Sequence, residues 1–136
     1  MKEWRDELAK KYPTLYKRYK GDPKITTMAW GFAVGDGWKG ILEKLSSKIS
    51  EIDKRGYVVV DQVKEKFGGL RYYFHVEGKN EDEGLALYNK VELLVADAER
   101  ESEETCEKCG QPGKLITGPF GWIRVLCDEC QKEIKE

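Results

Sequence analysis

The four cysteines of this chain lie in two short pairs, and their spacing constrains the fold more than any other feature. Cys106 and Cys109 form one Cys-x-x-Cys pair, and Cys127 and Cys130 form another after residues 110–126. Each pair can place two thiolates on one turn, and the segment between them is long enough for a β-hairpin that brings the pairs together. Four thiolates in a closed tetrahedron suit Zn²⁺, so the spacing predicts a structural zinc site. Two disulfides are the alternative.

Length and charge limit the class of protein. The chain has 136 residues, 40% of them hydrophobic and 36% charged, as expected for one globular domain. A net charge of −1 argues against a general electrostatic grip on nucleic acid. No apolar leader follows Met1, and no apolar run is long enough for a bilayer. We therefore expect a cytoplasmic protein without a membrane segment, where zinc is favoured over disulfides.

Hydrophobic periodicity predicts two main helices. The first spans residues 38–53, with apolar side chains at helical spacing from Trp38 to Ile52. Asp36 is the predicted N-cap of this helix. The second spans residues 81–104, and Asn80 followed by Glu83 resembles a capping box. Its acidic end, residues 97–104, opposes the helix dipole, so we expect that end to be solvated or paired with a basic partner.

Alternating residues at 57–76 predict a β-hairpin with Gly68-Gly69 as its two-residue turn. This turn would place Lys66 opposite Arg71. It would also form a core-facing side from seven apolar residues: Val59, Val63, Phe67, Leu70, Tyr72, Phe74 and Val76. The predicted fold is α+β, with two main helices packed on an antiparallel hairpin and a C-terminal zinc ribbon. Residues 1–105 form the predicted core, and residues 106–136 form zinc knuckles docked on it as one structural unit.

The opposite face of the hairpin is polar and basic. It is predicted to carry Gln62, Lys64, Lys66, Arg71, Tyr73 and His75. Like charges opposed across a ladder cost stability, and an anionic ligand would relieve that cost. Arg and Lys suit phosphate or carboxylate, and a tyrosine can stack on a base. A merely solvated hairpin face is the alternative.

The glycine-rich segment before the first helix could border this strip. We therefore include Trp38 among the predicted ligand-binding residues. The run Gly35-Asp36-Gly37 resembles a weak anion cradle, although the carboxylate of Asp36 would repel phosphate.

The sequence gives little support for catalysis. Zinc would occupy all four cysteines, and His75 is the single histidine. We interpret it as a packing or surface residue rather than a rival metal ligand, because the set of four cysteines is already complete. No metalloprotease, nucleophile-elbow or paired-carboxylate motif is present. The few cations of the ribbon are balanced by acidic residues, which argues against nucleic-acid binding there.

Three stretches resemble a family of small hypothetical proteins of tailed phages and bacterial genomes. They are residues 35–38 (GDGW), residues 62–72 (QVKEKFGGLRY) and residues 121–124 (GWIR) between the cysteine pairs. The resemblance covers roughly residues 30–130. Similar sequences can have histidine at the last metal position, where this chain has Cys130. The resemblance implies a phage or prophage accessory protein in the host cytoplasm, of a kind that often acts by binding.

These observations lead to one preferred prediction. It is a non-catalytic, phage-type binding protein, acting in counter-defence or host interaction, that holds a nucleotide or another anion on the basic hairpin face. The alternative is an adapter or inhibitor that contacts a host protein through the ribbon and the acidic helix end. A nucleic-acid-binding zinc ribbon is the least favoured. The oligomeric state does not follow from the sequence.

Overall fold

The computed structural model describes residues 3–78 and 80–134, so the outer ends of the two predicted units, residues 1–2 and 135–136, lie outside it. Its helices are Trp4–Lys11 (α1), Lys39–Ile52 (α2), Glu81–Ser102 (α3) and Asp128–Ile134 (α4). Its strands are Phe32–Ala33 (β1), Val58–Lys66 (β2), Gly69–Val76 (β3), Lys114–Thr117 (β4) and Ile123–Leu126 (β5). The predicted α+β class is confirmed.

Two sheets organise the chain. The larger has the order β1-β2-β3, with β1 parallel and β3 antiparallel to β2. The smaller is the β4–β5 hairpin, which joins the two cysteine pairs. Strand β1 has only two residues and lies in the glycine-rich segment before α2. So short a strand has no recognisable alternation in the sequence.

The β2–β3 turn is displaced by one residue from the predicted position. Phe67 and Gly68 form it, with φ values of 55° and 87° that suit a type I′ turn. Lys64, rather than Lys66, therefore pairs with Arg71. Between this turn and the Gln62–Tyr73 pair the register moves by two residues along β3, and a shift of two keeps these side chains on their predicted faces. Beyond Gln62 a bulge shifts the pairing again and places Val59 opposite His75, so Val59 does not lie on the predicted core-facing side. Phe67 itself is 69% exposed and does not join the core.

Helices α2 and α3 cover one face of the larger sheet. Val63, Leu70 and Tyr72 are buried there against apolar residues of both helices. The Tyr16 hydroxyl lies 2.6 Å from Ser46 Oγ and 2.8 Å from the Tyr72 hydroxyl, so the buried oxygens satisfy one another. Burial raises the pKa of Tyr16 to about 12.

The outer edge of β3 is covered by side chains from the acidic end of α3. The Leu70 N–H donates to Ser102 Oγ at 3.0 Å, and the Tyr72 N–H donates to Glu99 Oε2 at 3.2 Å. Glu101 pairs with Lys44 of α2 at 2.7 Å. This end of the helix is therefore anchored within the fold, and it protects a strand edge that could otherwise pair with another chain.

Asp36 does not cap α2 as predicted. It begins a short three-ten helix, Asp36–Trp38, and its side chain makes no capping bond. The Trp4 Nε1–H donates to Asp36 Oδ1 at 2.9 Å, and the Arg5 guanidinium lies 3.1 Å from the same oxygen. The carboxylate therefore holds α1 against the segment before α2. The predicted cap at Asn80 is confirmed, since its side chain accepts the Glu83 N–H at 2.9 Å.

No helix in residues 3–78 and 80–134 combines the length and the apolar character needed to cross a membrane.

The ring of His75 lies between two carboxylates at the end of the sheet away from the β2–β3 turn. Its Nδ1 is 2.8 Å from Asp61 Oδ2, and its Nε2 is 2.8 Å from Glu77 Oε2. Burial of the ring opposes protonation, but the bonds to Glu77 and Asp61 outweigh it and raise the pKa of His75. Hydrogen bonds from Lys17 and His75 lower the pKa of Glu77 to about 2.

Replacing His75 with asparagine should flatten the dependence of stability on pH. Because the folded-state pKa is raised, the stabilising contribution of His75 is complete below its unfolded pKa of about 6.5 and is lost as the pH rises through the folded value. Urea unfolding across this range should show the free energy of unfolding falling more steeply in the native protein than in His75→Asn. Subtracting the two plots of the free energy of unfolding against pH cancels the titration of groups that both proteins share. Identical slopes in the two plots would contradict a raised pKa of His75 in the folded protein.

Candidate metal centre

The first cysteine pair lies on a tight turn that follows α3. The Cys106 N–H donates to Gln111 O at 2.8 Å, and the Gly110 N–H donates to Cys106 O at 2.9 Å. Gly110 has a φ of 86°, a conformation that glycine adopts without steric cost. The chain thus folds back directly after Cys109, and both thiols lie on one side of the turn.

The second pair lies where β5 passes into α4. Cys127 follows the strand, and Cys130 lies in the first turn of the helix. The Cys130 N–H donates to Cys127 Sγ at 3.4 Å, and the Gln131 N–H donates to Cys127 O at 3.0 Å. The β4–β5 hairpin brings the second cysteine pair next to the first, as the spacing of the two pairs in the sequence predicts.

All four sulfur atoms lie within 4.8 Å of one another. Cys109 Sγ and Cys127 Sγ are 3.6 Å apart, far beyond the length of a disulfide, and all four cysteines are free. A tetrahedral ion with bonds of about 2.3 Å to sulfur has sulfur–sulfur edges of about 3.8 Å. The cluster therefore fits a metal site with four cysteine ligands.

The electrostatics of the cluster suit a bound cation. Burial opposes ionisation of Cys106, but hydrogen bonds from the backbone of Cys127, Cys109 and Lys108 outweigh it and lower the pKa of that thiol to about 7. Burial, and then contact with the other three thiols, raises the pKa of Cys130. One thiolate thus forms readily, and a divalent cation would stabilise the others.

Glu107, between the first two ligands, fastens the cysteine turn to the core. Its backbone carbonyl accepts the Gly37 N–H at 2.6 Å, and its Oε2 accepts the Gly35 N–H at 2.9 Å. The Trp38 Nε1–H donates to Thr105 O at 3.0 Å. Burial raises the pKa of Glu107 despite the bond from Gly35. The weak anion cradle expected at residues 35–37 therefore holds a group of the protein itself.

Two glycines make this close approach possible. A Cβ at Gly37 would stand 2.0 Å from Cys106 O, and one at Gly35 would stand 2.5 Å from Glu107 O. Neither distance is compatible with a side chain. We call residues 35–38 the docking loop, because they receive the first cysteine turn.

The tip of the β2–β3 hairpin forms a second contact with the ribbon. A Cβ at Gly68 would stand 2.6 Å from Leu115 Cδ1 and 3.1 Å from Ile123 Cγ2. Glu65 Oε2 accepts the Gly68 N–H at 2.8 Å and fixes the turn. The β4–β5 hairpin thus packs on the core at two places, the docking loop and this turn.

The structure brings five of the seven predicted ligand-binding residues together. Lys64 pairs with Arg71, Gln62 pairs with Tyr73, and Lys66 lies two pairs nearer the turn than Lys64, opposite Gly69. Opposed residues share a face, and this face is not covered by α2 or α3. We call Gln62, Lys64, Lys66, Arg71 and Tyr73 the basic strip.

Two predicted residues stand apart from the basic strip. Trp38 is completely buried in the main core, so its side chain is not available to a surface ligand. His75 continues the same face, but beyond a bulge at Asp61 it lies between two carboxylates that would repel an anion. Trp38 anchors the docking loop in the core, and His75 links carboxylates at the end of the sheet.

Sequence reasoning missed Glu107, Gly35 and Gly37 as partners in one contact. The signal in the sequence is weak: a carboxylate between two metal ligands, and a Gly-x-Gly-Trp run about 70 residues earlier. Neither motif by itself predicts that it contacts the other.

No family model matches the chain, and neither the curated proteins nor the solved structures give a match. The resemblance to small phage and bacterial proteins therefore stays a prediction.

Gly37→Ala should destabilise the protein by about 1–3 kcal/mol or more, because the new Cβ overlaps the Cys106 carbonyl. Gly40→Ala is the matched control. Gly40 lies in the first turn of α2 with nothing within 4 Å of its added Cβ, so alanine there should be neutral or stabilising by up to about 1 kcal/mol. Chemical denaturation measures both. Equal effects would show that the docking loop is not tightly packed.

Proposed function

We propose that this chain is a non-catalytic binding protein in which a structural Zn²⁺ fixes the ribbon and the basic strip holds an anionic ligand. Four thiolates favour zinc over magnesium or calcium, and a complete set of protein ligands leaves no position for a reactive water. Cys106, Cys109, Cys127 and Cys130 would hold the ion, whose part is to cross-link the two cysteine turns.

The observation that carries the ligand proposal is the pairing of Lys64 with Arg71 on the sheet face that α2 and α3 do not cover, where both residues are half-buried. Within residues 3–78 and 80–134, no carboxylate forms an ion pair within 4 Å of Lys64, Lys66 or Arg71. Arg71 Nη1 donates to Leu70 O at 3.0 Å. Burial raises the pKa of Glu99, and the Tyr72 N–H and the charge of Arg71 oppose that rise, so Arg71 also interacts with this carboxyl group beyond ion-pair distance. Opposed like charges are unfavourable, and an anion between them would reverse the sign of the interaction.

Tyr73 and Gln62 extend this reasoning to a nucleotide. Tyr73 is 44% exposed and is paired with Gln62 beside the Lys64–Arg71 pair. Neighbouring residues on one face of a strand are about 7 Å apart, a distance that a ribose can span between a base and its phosphate. A base stacked on Tyr73 would place its phosphate at the two cations, and Gln62 would offer hydrogen bonds to a polar edge.

Other predicted functions receive less support. In the adapter hypothesis the acidic end of α3 contacts a partner, but Glu99 and Glu101 are already engaged within the fold. A net charge of −1 still disfavours extended contact with nucleic acid. The host-interaction and counter-defence setting implied by the resemblance stays a prediction.

Calorimetric titration with ADP-ribose, cyclic AMP and ATP should reveal binding of at least one of these probes at low salt. Lys64→Ala/Arg71→Ala should weaken that binding more than about tenfold, because each charged hydrogen bond contributes about 1.5–3 kcal/mol. Lys39→Ala/Lys48→Ala removes the same charge from exposed positions on α2 and should leave the affinity unchanged.

Two results would contradict the proposal. One is the absence of heat with all three probes in the native protein. The other is an equal loss of affinity in both double variants, which would show that the affinity depends on the net charge of the protein and not on the basic strip. Inorganic phosphate is the reference probe. If inorganic phosphate binds as tightly as the nucleotides do, the cations bind the phosphate group and Tyr73 makes no contribution to the affinity.

A further inference from the structure

The four cysteines of the cluster differ in their exposure to solvent. Cys109 is exposed and Cys127 is half-buried, whereas Cys106 and Cys130 are buried, at 0% and 5% exposure. A tetrahedral ion does not require this difference, because it takes the same bond from each of its four ligands. The outer side of the cluster therefore consists of one thiol from each cysteine pair.

The two outer thiols are in contact with each other. Cys109 Sγ and Cys127 Sγ are 3.6 Å apart, and the sulfur–sulfur bond of a disulfide is about 2.05 Å long. The two sulfur atoms would therefore have to approach by about 1.5 Å to form a bond. The segment between these residues contains the whole β4–β5 hairpin, so such a bond would link the same two turns that the proposed ion links.

The two inner thiols lie against the protein. The Trp38 Nε1–H and the Gly37 N–H donate to backbone carbonyls on either side of Cys106, so this ligand lies within the docking contact. Cys130 packs with Cys106 and Leu126 in the small core of the ribbon. An oxidant in solution therefore reaches the outer thiols first.

Access to solvent decides which sulfur of such a site is oxidised. The thiolate, and not the thiol, attacks an oxidant, and all four sulfurs are thiolates when they hold a metal. Thiolate character then no longer distinguishes the four ligands, and exposure does. A neighbouring cysteine converts the first oxidation product to a disulfide, which prevents further, irreversible oxidation.

We infer that Cys109 and Cys127 form an oxidisable pair through which a peroxide controls the proposed metal site, on which this inference rests. The Cys109 thiolate attacks one oxygen of the peroxide, and the O–O bond breaks. The sulfur becomes a sulfenic acid, and the hydroxide that leaves takes up a proton to form water.

The Cys127 thiolate completes the reaction. It attacks the Cys109 sulfur, the S–O bond breaks, and the second hydroxide takes up a proton. The two sulfurs together lose two electrons, and hydrogen peroxide and two protons become two molecules of water. Cys106 and Cys130 then remain as two ligands, which are too few for a closed zinc site, so the metal is released.

The position of this bond decides what oxidation does to the fold. A disulfide between the two turns keeps the β4–β5 hairpin closed at its base, as the ion does. A disulfide within either cysteine pair would release the metal and also separate the turns. The Cys109–Cys127 pair therefore allows release of the metal without loss of the ribbon, and thiol–disulfide exchange can restore all four ligands in place.

Peptide mapping tests which disulfide forms. Zinc-loaded protein is treated with one equivalent of hydrogen peroxide, alkylated with N-ethylmaleimide, and digested with trypsin and a glutamyl endopeptidase. Lys108 and Glu129 each lie between the two cysteines of a pair, so digestion places every cysteine on its own peptide. Mass spectrometry should find Cys109–Cys127 as the main disulfide, and a chromogenic chelator should detect one Zn²⁺ released for each disulfide. Dithiothreitol should restore four free thiols and metal binding.

Serine variants of the second pair provide a matched comparison. Cys127→Ser and Cys130→Ser each remove one ligand from the same turn, so both weaken metal binding for the same reason. Cys130→Ser should still form the Cys109–Cys127 disulfide as fast as the native protein does. Cys127→Ser should slow disulfide formation by about tenfold or more and leave a sulfenic acid at Cys109, which dimedone traps.

Several results would overturn the inference. They are a main disulfide within either pair, no disulfide at all, equal slowing in both serine variants, or oxidation that dithiothreitol does not reverse. The mapping also separates this inference from the metal proposal. A protein that binds no Zn²⁺ but forms the Cys109–Cys127 disulfide would contradict only the metal, and a zinc-loaded protein that forms none would contradict only the oxidisable pair.

Discussion

The contact between the first cysteine turn and the docking loop joins the two parts of this molecule. It uses two backbone N–H groups, at Gly35 and Gly37, and both oxygens come from Glu107. Neither glycine could carry a side chain there. Because Glu107 lies between two of the four cysteines, the position of the cluster and the position of the docking loop depend on each other. A metal that orders the turn would therefore also order the start of α2, where Trp38 is buried.

The same arrangement divides the surface by function. The docking loop and the β2–β3 turn hold the ribbon at one end of the sheet. The His75 cluster closes the other end with compensated charges. Between them lies the basic strip, whose cations form no ion pair within 4 Å among the described residues, although the charge of Arg71 acts on Glu99.

Local patterns in the sequence were sufficient for much of this fold. Thiol spacing predicted the cluster, apolar periodicity predicted α2 and α3, and Asn80 marked the start of α3. The composition of the basic strip was predicted even though the turn was misplaced, because a register shift of two preserves the face of each residue. Contacts between distant segments were not predictable. Glu107 meets Gly35 across about 70 residues, Asp36 binds Trp4 rather than capping its own helix, and Trp38 is buried instead of bordering the strip.

The central claim is that metal binding and the docking loop are coupled, and amide hydrogen exchange at Gly35 and Gly37 tests it most directly. In protein carrying one equivalent of Zn²⁺, both amides should be protected, as expected for buried hydrogen bonds. Removal of the metal with a chelator should bring their exchange close to that of an unfolded peptide, while the amide of Val63 in the sheet stays protected. Unchanged protection of Gly35 and Gly37 in the metal-free protein would contradict the account.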